Sequence, residues 1–250
     1  DRKLDPDRLK NLRRIGVDEF SYRKRHRYVT IVVDHDRRRV IWTCEGKGKA
    51  ALVRFFAEIG PEACQKLETV TMDMAAGYRR AVEDHAPQAV IVFDRFHVQR
   101  LASQALDEVR REIVRELKGT DLARDIKRSR WPLLKNADNA TAKNQLKLSE
   151  VEKASKPLFR AYLLKEALRQ ALSRRQVWRA RQELRRWIGW AARSRLEPFK
   201  KLSRTISRHL DGILAYIELQ LTNGLVEGIN ARSRVSVRRA YGYPLLSKET

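Results

Sequence analysis

The chain has 250 residues, with 54 Lys and Arg against 31 Asp and Glu, a formal net charge of +23. That excess calls for a polyanionic partner, nucleic acid or an anionic membrane face, and 42% hydrophobic residues supply a core and exclude disorder as the main state. No apolar run approaches the roughly 18 residues of a membrane span, while two cysteines, Cys44 and Cys64, exclude a disulfide framework and a cysteine-only zinc site and favour a reducing compartment.

Residues 1–13 read as a polar connector, without the apolar core of a signal peptide. The first residue is Asp1 and the only methionines, Met72 and Met74, are internal, so the expectation is a fragment of a longer reading frame. Arg14-Ile15-Gly16-Val17-Asp18-Glu19-Phe20 predicts a first strand that ends in acids. Residues 28–33, Tyr-Val-Thr-Ile-Val-Val, form a β-branched run typical of a buried strand. Asp34-His35-Asp36-Arg37-Arg38 suits a hairpin turn, and residues 40–44 read as the returning strand. Leu52, Phe55, Phe56 and Ile59 have helical spacing, and Gly60-Pro61 ends that helix. Residues 67–72 form a short strand. Residues 75–85 form a helix with Tyr78, Ala81 and Val82 on one face. Residues 89–93 form a fifth strand without a polar side chain, expected to be buried on both faces. The order β-β-β-α-β-α-β predicts a mixed sheet with helices on its faces.

From residue 96 to about 221 the pattern becomes helical. Leu101, Ala105, Val109 and Ile113 form one stripe; Leu163, Leu164, Leu168 and Leu172 a second; Val177, Leu184, Trp187 and Ile188 a third. Residues 135–148 are polar and loop-like. Thr222-Asn223-Gly224 is a breaker. Leu225, Val226, Ile229, Val235 and Val237 then predict a final helix, from which Arg232, Arg234, Arg238 and Arg239 project, and Pro244 ends it.

The acids fall at informative places. Asp18 ends the first strand, Asp73 follows the fourth and Asp94 follows the fifth. Neighbouring strands lie about 4.8 Å apart, so if strands one and four are neighbours, Asp18 and Asp73 can share a divalent ion. Paired hard carboxylates suit Mg²⁺ or Mn²⁺, and two such ions serve phosphoryl transfer on nucleic acid. Glu227 is the only acid between Glu218 and Glu249. With Asn223 or Gly224 as N-cap it sits in the first turn of the final helix, where the helix dipole favours its ionised form, with Asn230 one turn on along the same face. Each position also has a structural explanation: strand-ending Asp residues form turns and first-turn Glu residues stabilise helix ends. Glu19 is expected on the opposite sheet face from Asp18, and Asp34 and Asp36 belong to a turn.

The combination is more specific than its parts. Residues 15–20, Val70-Thr71-Met72-Asp73-Met74, Val92-Phe93-Asp94-Arg95-Phe96-His97-Val98, Asn223-Gly224-Leu225-Val226-Glu227-Gly228-Ile229-Asn230 and Arg238-Arg239-Ala240-Tyr241-Gly242-Tyr243 occur in that order. Together they resemble the DDE transposases of the ISL-three insertion-sequence group, across nearly the whole chain. The resemblance implies an α/β, ribonuclease H-like core with a large all-helical insertion before the final catalytic helix. The implied boundaries are a connector at 1–13, the first part of the core at 14–98, the insertion at 99–221, the final catalytic helix at 222–243 and a tail at 244–250. It implies Asp18, Asp73 and Glu227 as the catalytic, metal-holding carboxylates, Mg²⁺ (or Mn²⁺) as cofactor, and Asp94, His97 and Asn230 as supporting residues. It further implies cleavage of phosphodiesters at transposon ends in double-stranded DNA, strand transfer into target DNA, a homo-oligomer on paired ends, no membrane association, and a bacterial cytoplasmic, nucleoid-associated location. The zinc-binding and helix-turn-helix segments that such proteins carry upstream are not in this sequence. Nor does the family's usual continuation follow Tyr243, so a truncated copy is expected.

Between Arg174 and Arg208 twelve basic residues face only Glu183 and Glu197, with Trp178, Trp187 and Trp190 interleaved. A one-signed excess of this size suits DNA phosphates. Arg174, Arg175, Arg181, Arg185, Lys200 and Lys201, with Arg234, Arg238 and Arg239, are the candidate DNA contacts. The tryptophans fit either core anchors or base-stacking platforms. Two other readings remain: a basic DNA-binding protein without catalysis, which explains the charge but not the spaced acids, and a ribonuclease H-like nuclease without strand transfer.

Overall fold

The computed structural model describes residues 6–23 and 27–221. These fall into two compact units, residues 6–94 with Leu221, and Arg95–Gln220.

The first unit is built on a five-stranded sheet of order β3-β2-β1-β4-β5. Strands β1 (Arg14–Arg23), β2 (Arg27–Asp34) and β3 (Arg39–Glu45) form an antiparallel meander. Strands β4 (Thr69–Met72) and β5 (Val90–Phe93) run parallel to β1 on its other side. Helices α1 (Lys49–Ile59), α2 (Pro61–Gln65) and α3 (Ala76–His85) provide the connections. Parallel neighbours need such crossovers, whereas the meander needs only turns. Helices α1 and α3 pack on each other. Gly77 makes this close approach possible, because a Cβ there would meet the Lys49 backbone nitrogen at 2.9 Å. Ile15, Val17, Val70 and Met72 from the strands, and Leu52, Phe55, Phe56, Tyr78 and Val82 from α1 and α3, are fully buried.

The predicted strand order and mixed sheet are observed, with four local differences. β1 does not end at Asp18 but runs to Arg23, because β2 pairs with it well past that residue. β4 starts at Thr69 rather than residue 67. Pro61 opens the short helix α2 directly after Gly60, as proline does at a first helical position. β5 is not buried on both faces: it is an edge strand, so Val90 is 46% exposed and only Val92 and Phe93 are buried.

The second unit is helical, with no strand among its described residues. It contains α4 (Arg95–Glu116), α5 (Asp121–Arg128), α6 (Arg130–Leu134), α7 (Ala142–Ala154), α8 (Lys156–Leu172), α9 (Val177–Ala192), α10 (Glu197–Arg208) and α11 (Leu210–Leu219). Helix α8 packs against α4 and α9, and α10 against the same two. Residues 135–148, read as loop-like, are irregular only up to Thr141, with a single 3-10 turn at Ala137–Asn139; from Ala142 they belong to helix α7. Thr141 caps α7, its hydroxyl accepting the Asn144 N–H at 3.4 Å, and the polar residues that follow form the solvated side of that helix. Of the second leucine stripe, Leu164, Leu168 and Leu172 are buried, but Leu163 is 40% exposed on the far side of α8. In α4 the buried set is Val98, Ala102, Ala105, Leu106 and Val109, so the stripe is offset from Leu101 and Ile113, which are half-buried. No helix among the described residues is long and apolar enough to cross a membrane.

One buried polar group ties this unit together. Lys165 Nζ donates to the carbonyls of Leu133 (2.8 Å), Leu134 (3.3 Å) and Lys135 (2.7 Å), and pairs with Glu166 at 2.8 Å. It therefore satisfies the carbonyls that the end of α6 leaves open. Burial lowers its pKa below the usual lysine value, and the hydrogen bond and charge of Glu166 oppose that shift. Arg169 donates to the same Glu166 at 2.9 Å and to Asp138 at 2.8 Å. Lys165→Met keeps most of the side-chain volume but strips the carbonyls of their donor. It is expected to destabilise the protein by about 3 kcal/mol, measured as a shift in the urea midpoint.

Candidate active site

The site is set by strand register. β1 and β4 pair in parallel as Arg14↔Thr69, Ile15↔Val70 and Gly16↔Thr71. Asp18 and Asp73 each lie two residues beyond that last pair. β4 and β5 pair up to Met72↔Phe93, and Asp73 and Asp94 each lie one residue beyond it. The three aspartates are thus in register across three adjacent parallel strands, Asp73 and Asp94 just past the ends of β4 and β5 and Asp18 within β1, beyond the point where β4 stops pairing with it. Side-by-side residues in a sheet share a face, so all three are placed on the face of Gly16, Thr71 and Val92.

Backbone groups orient two of the carboxylates. Asp18 Oδ1 accepts the Glu19 N–H at 2.8 Å, and Asp73 Oδ1 accepts the Ala75 N–H at 2.9 Å as the chain turns into α3. Both residues are half-buried, whereas Asp94 is fully buried. Glu19 is on the opposite face, as predicted. Its Oε2 accepts from the Tyr78 hydroxyl at 2.9 Å, and that hydroxyl also lies 3.0 Å from Thr30 Oγ1. Burial raises the Tyr78 pKa far above the ordinary phenol value, so it remains a neutral donor.

The donor set suits a hard divalent ion, since adjacent strands present two carboxylates toward one face. Among the described residues no group of three His, Cys, Asp or Glu converges into a metal-holding cluster. Glu227, Asn230, Arg234, Arg238 and Arg239 lie outside the described residues. His97 is buried near the start of α4, and its Nδ1 has no hydrogen-bond partner among the described residues.

One residue at this site was not signalled by the local sequence. His35 reads as part of a turn, yet its Nε2 lies 2.7 Å from Thr71 Oγ1, and a Cβ on Gly16 would meet both atoms at 2.9 Å. The only available signal was the β-β-β-α-β order, which puts the turn after β2 next to the start of β1. Burial pushes the His35 pKa below its ordinary value, against the opposing pull of Asp36 and Asp34.

The candidate DNA contacts divide by their partners. Arg174 pairs with Glu183 at 2.8 Å, Arg181 with Asp211 at 3.5 Å and Lys200 with Glu197 at 3.3 Å. Arg175, Arg185 and Lys201 are exposed and have no ion pair among the described residues. The tryptophans divide too. Trp187 is buried and donates Nε1–H to the Leu164 carbonyl at 2.8 Å, so it is a core anchor. Trp178 is 62% exposed, with the Arg179 guanidinium 5.1 Å from its ring centroid, and Trp190 is 38% exposed.

Fold and site together define a mixed α/β protein with a row of carboxylates at its parallel strand ends, joined to a basic helical unit. Residues 15–246 match the family model described as transposase, that of the DDE transposases of the ISL-three group, and the chain belongs to that family. It is 37% identical to the transposase for insertion sequence element IS1557 of Mycobacterium tuberculosis, over 95% of this chain and 58% of that protein. It is 36% identical to the transposase for insertion sequence element IS1001 of Bordetella parapertussis, over 92% of this chain and 57% of that protein. The chain thus spans less than three fifths of the length of these relatives.

The burial of the tryptophans has a direct consequence. Trp187→Ala is expected to cost about 3–5 kcal/mol of stability, whereas Trp178→Ala should stay within about 0.5 kcal/mol of the parent. Chemical denaturation of the two variants under the same conditions checks both values.

Proposed function

We propose that the chain is the catalytic part of an insertion-sequence transposase. In this proposal it cleaves phosphodiesters at transposon ends and joins the freed ends to target DNA, on a ribonuclease H-like core interrupted by the helical unit. Support comes above all from the common register of Asp18 in β1 with Asp73 and Asp94, which follow β4 and β5. The transposase names of the two relatives point the same way.

Asp18, Asp73 and Glu227 would hold divalent ions, Mg²⁺ or Mn²⁺. Bound there, such ions activate water and stabilise the leaving 3′-oxygen. The protein's own part is orientation. The Glu19 and Ala75 amides hold the two aspartates in one rotamer each, which limits the reorganisation needed when DNA arrives. Asp94, His97 and Asn230 are supporting residues around these acids. The excess arginine and lysine of the helical unit, with Arg234, Arg238 and Arg239, neutralises phosphates and carries the duplex. Two copies are expected to act on paired ends, in the bacterial cytoplasm at the nucleoid.

Two experiments test this assignment. Asp73→Asn should abolish Mg²⁺-dependent nicking of DNA that carries the element's ends, while gel-shift affinity for the same DNA is retained. Glu19→Gln, on the opposite face, should nick at close to the parent rate. Nicking by Asp73→Asn at the parent rate would remove the assignment. Separately, the Arg175→Ala, Arg185→Ala double variant should reduce the salt slope of DNA binding by about 2, since each phosphate contact contributes nearly one unit. The ion-paired Arg174→Ala should change it less. Measuring affinity between low and moderate salt reads both.

A further inference from the structure

The turn between β2 and β3 carries a histidine that is held more firmly than a turn requires. Its backbone N–H donates to the Arg14 carbonyl at 3.0 Å, which extends the β1–β2 ladder by one residue. Asp34, on the preceding side, is buried, and its Oδ1 accepts the N–H groups of Asp36 (2.8 Å) and Arg37 (3.2 Å). Asp36, on the following side, is ion-paired with Arg14. The turn is therefore anchored on both flanks, and the imidazole is directed across β1 to Thr71 on β4, at 2.7 Å.

The path of that ring crosses Gly16. A Cβ at this position would meet His35 Nε2, Thr71 Oγ1 and Val33 Cγ2, each at 2.9 Å. Gly16 is in a strand, so its value here is the absent side chain rather than an unusual backbone angle. A side chain at Gly16 would occupy the space through which the His35 ring, in the turn after β2, reaches Thr71. The hydrogen bond spans three strands on the face where Asp18 and Asp73 lie, one pleat period behind them: Gly16 is two residues before Asp18, and Thr71 is two residues before Asp73.

We propose that His35 and Thr71 form a clasp across Gly16 that fixes the end of β4 relative to β1, and so sets the spacing of Asp73 from Asp18. Both are positioning residues; neither is placed to touch DNA or an ion. β4 needs such a device because it is only four residues long and its ladder with β1 stops at Thr71. Beyond that point β4 is paired only with β5, up to Met72, and no backbone pairing among the described residues ties Asp73 to β1. Burial favours the neutral imidazole, which leaves the ring one donor and one acceptor nitrogen and so able to bond a hydroxyl in either sense.

This inference rests on the assignment of Asp18 and Asp73 as metal-holding carboxylates, and the test separates the two. The 250-residue chain and its variants Thr71→Val, His35→Ala and His35→Gln are titrated with Mn²⁺, with binding followed by water-proton relaxation, and each is also melted and assayed for Mg²⁺-dependent nicking. Thr71→Val, which keeps the shape and removes the hydroxyl, and His35→Ala should each weaken Mn²⁺ binding about tenfold or more, as loss of an orienting hydrogen bond behind a metal ligand does. His35→Gln, which returns a hydrogen-bonding group at similar reach, should recover most of that affinity. A purely structural bond would lower the melting temperature of Thr71→Val and leave its Mn²⁺ affinity at the parent value. That result, or a His35→Gln no better than His35→Ala, overturns the clasp. If the parent binds Mn²⁺ and does not nick while the variants bind it more weakly, the transposase assignment fails and the clasp stands. If the parent binds no Mn²⁺, both fail.

Discussion

Everything at the candidate site depends on unequal pairing along β1. On one side β2 accompanies it beyond Phe20; on the other, β4 leaves it at Gly16. Asp18 is therefore inside a well-supported strand and yet beside the open end of its parallel neighbour. A longer β4 would cover the position with backbone, and a shorter β2 would leave it on a loose end. The same termination repeats between β4 and β5, where pairing ends at Phe93 immediately before Asp94. Parallel strands present their carboxyl ends at one edge of the sheet, so acids placed just past the last paired residues are gathered without any sequence proximity.

The alternation of β1 then separates two acids that are adjacent in sequence. Glu19 turns toward the face packed by α3 and is bonded by Tyr78, inside a network that includes Thr30. Asp18 turns toward the face of Gly16 and Thr71. The pleat alone gives two neighbouring carboxylates different surroundings: one is a satisfied polar group beneath a helix, the other a carboxylate oriented by the Glu19 amide on the face of Gly16 and Thr71. A one-residue slip in β1 would exchange them, so the apolar contacts of Ile15 and Val17 indirectly decide which acid faces which way.

The strands were legible because their apolar, β-branched runs are interrupted by polar turns, and α1 and α3 because their apolar spacing matches the helical period. What the periodicity missed was set by tertiary context. The exposure of Val90 follows from β5 being an edge, which no property of Ala89-Val90-Ile91-Val92-Phe93 reveals. Leu163 sits beside Leu164 in an apolar stretch, and the packing of α8 against α4 and α9 decides that only one of them is inside. The helix α7 was hidden because polar and charged residues make up most of its sequence, with Leu146, Leu148 and Val151 as its few large apolar residues, while its threonine cap is a single residue. Among the site residues, Asp73 and Asp94 could be chosen from their positions at strand ends; Asp18 was chosen on the same ground although it lies within β1, where the end that matters is that of β4. His35 could not, since Asp-His-Asp describes a turn, and its contact with Thr71 needs the register of three strands.

The charge also takes a different form in three dimensions. Twelve basic residues in one stretch suggest a uniform field, but Arg174, Arg181 and Lys200 each have a carboxylate partner. Exposed pairs of this kind add little stability, yet each partner cancels much of the field that its cation would project into solvent. Over distances beyond the Debye length of about 8 Å the paired groups contribute little attraction to a phosphate backbone. The uncompensated positive field of this stretch comes from residues such as Arg175, Arg185 and Lys201, which are exposed and without an ion pair among the described residues. A paired arginine can still bind an anion at contact by exchanging its carboxylate for it, so the same stretch holds one set of cations whose charge is uncompensated and another whose charge becomes available only through such an exchange.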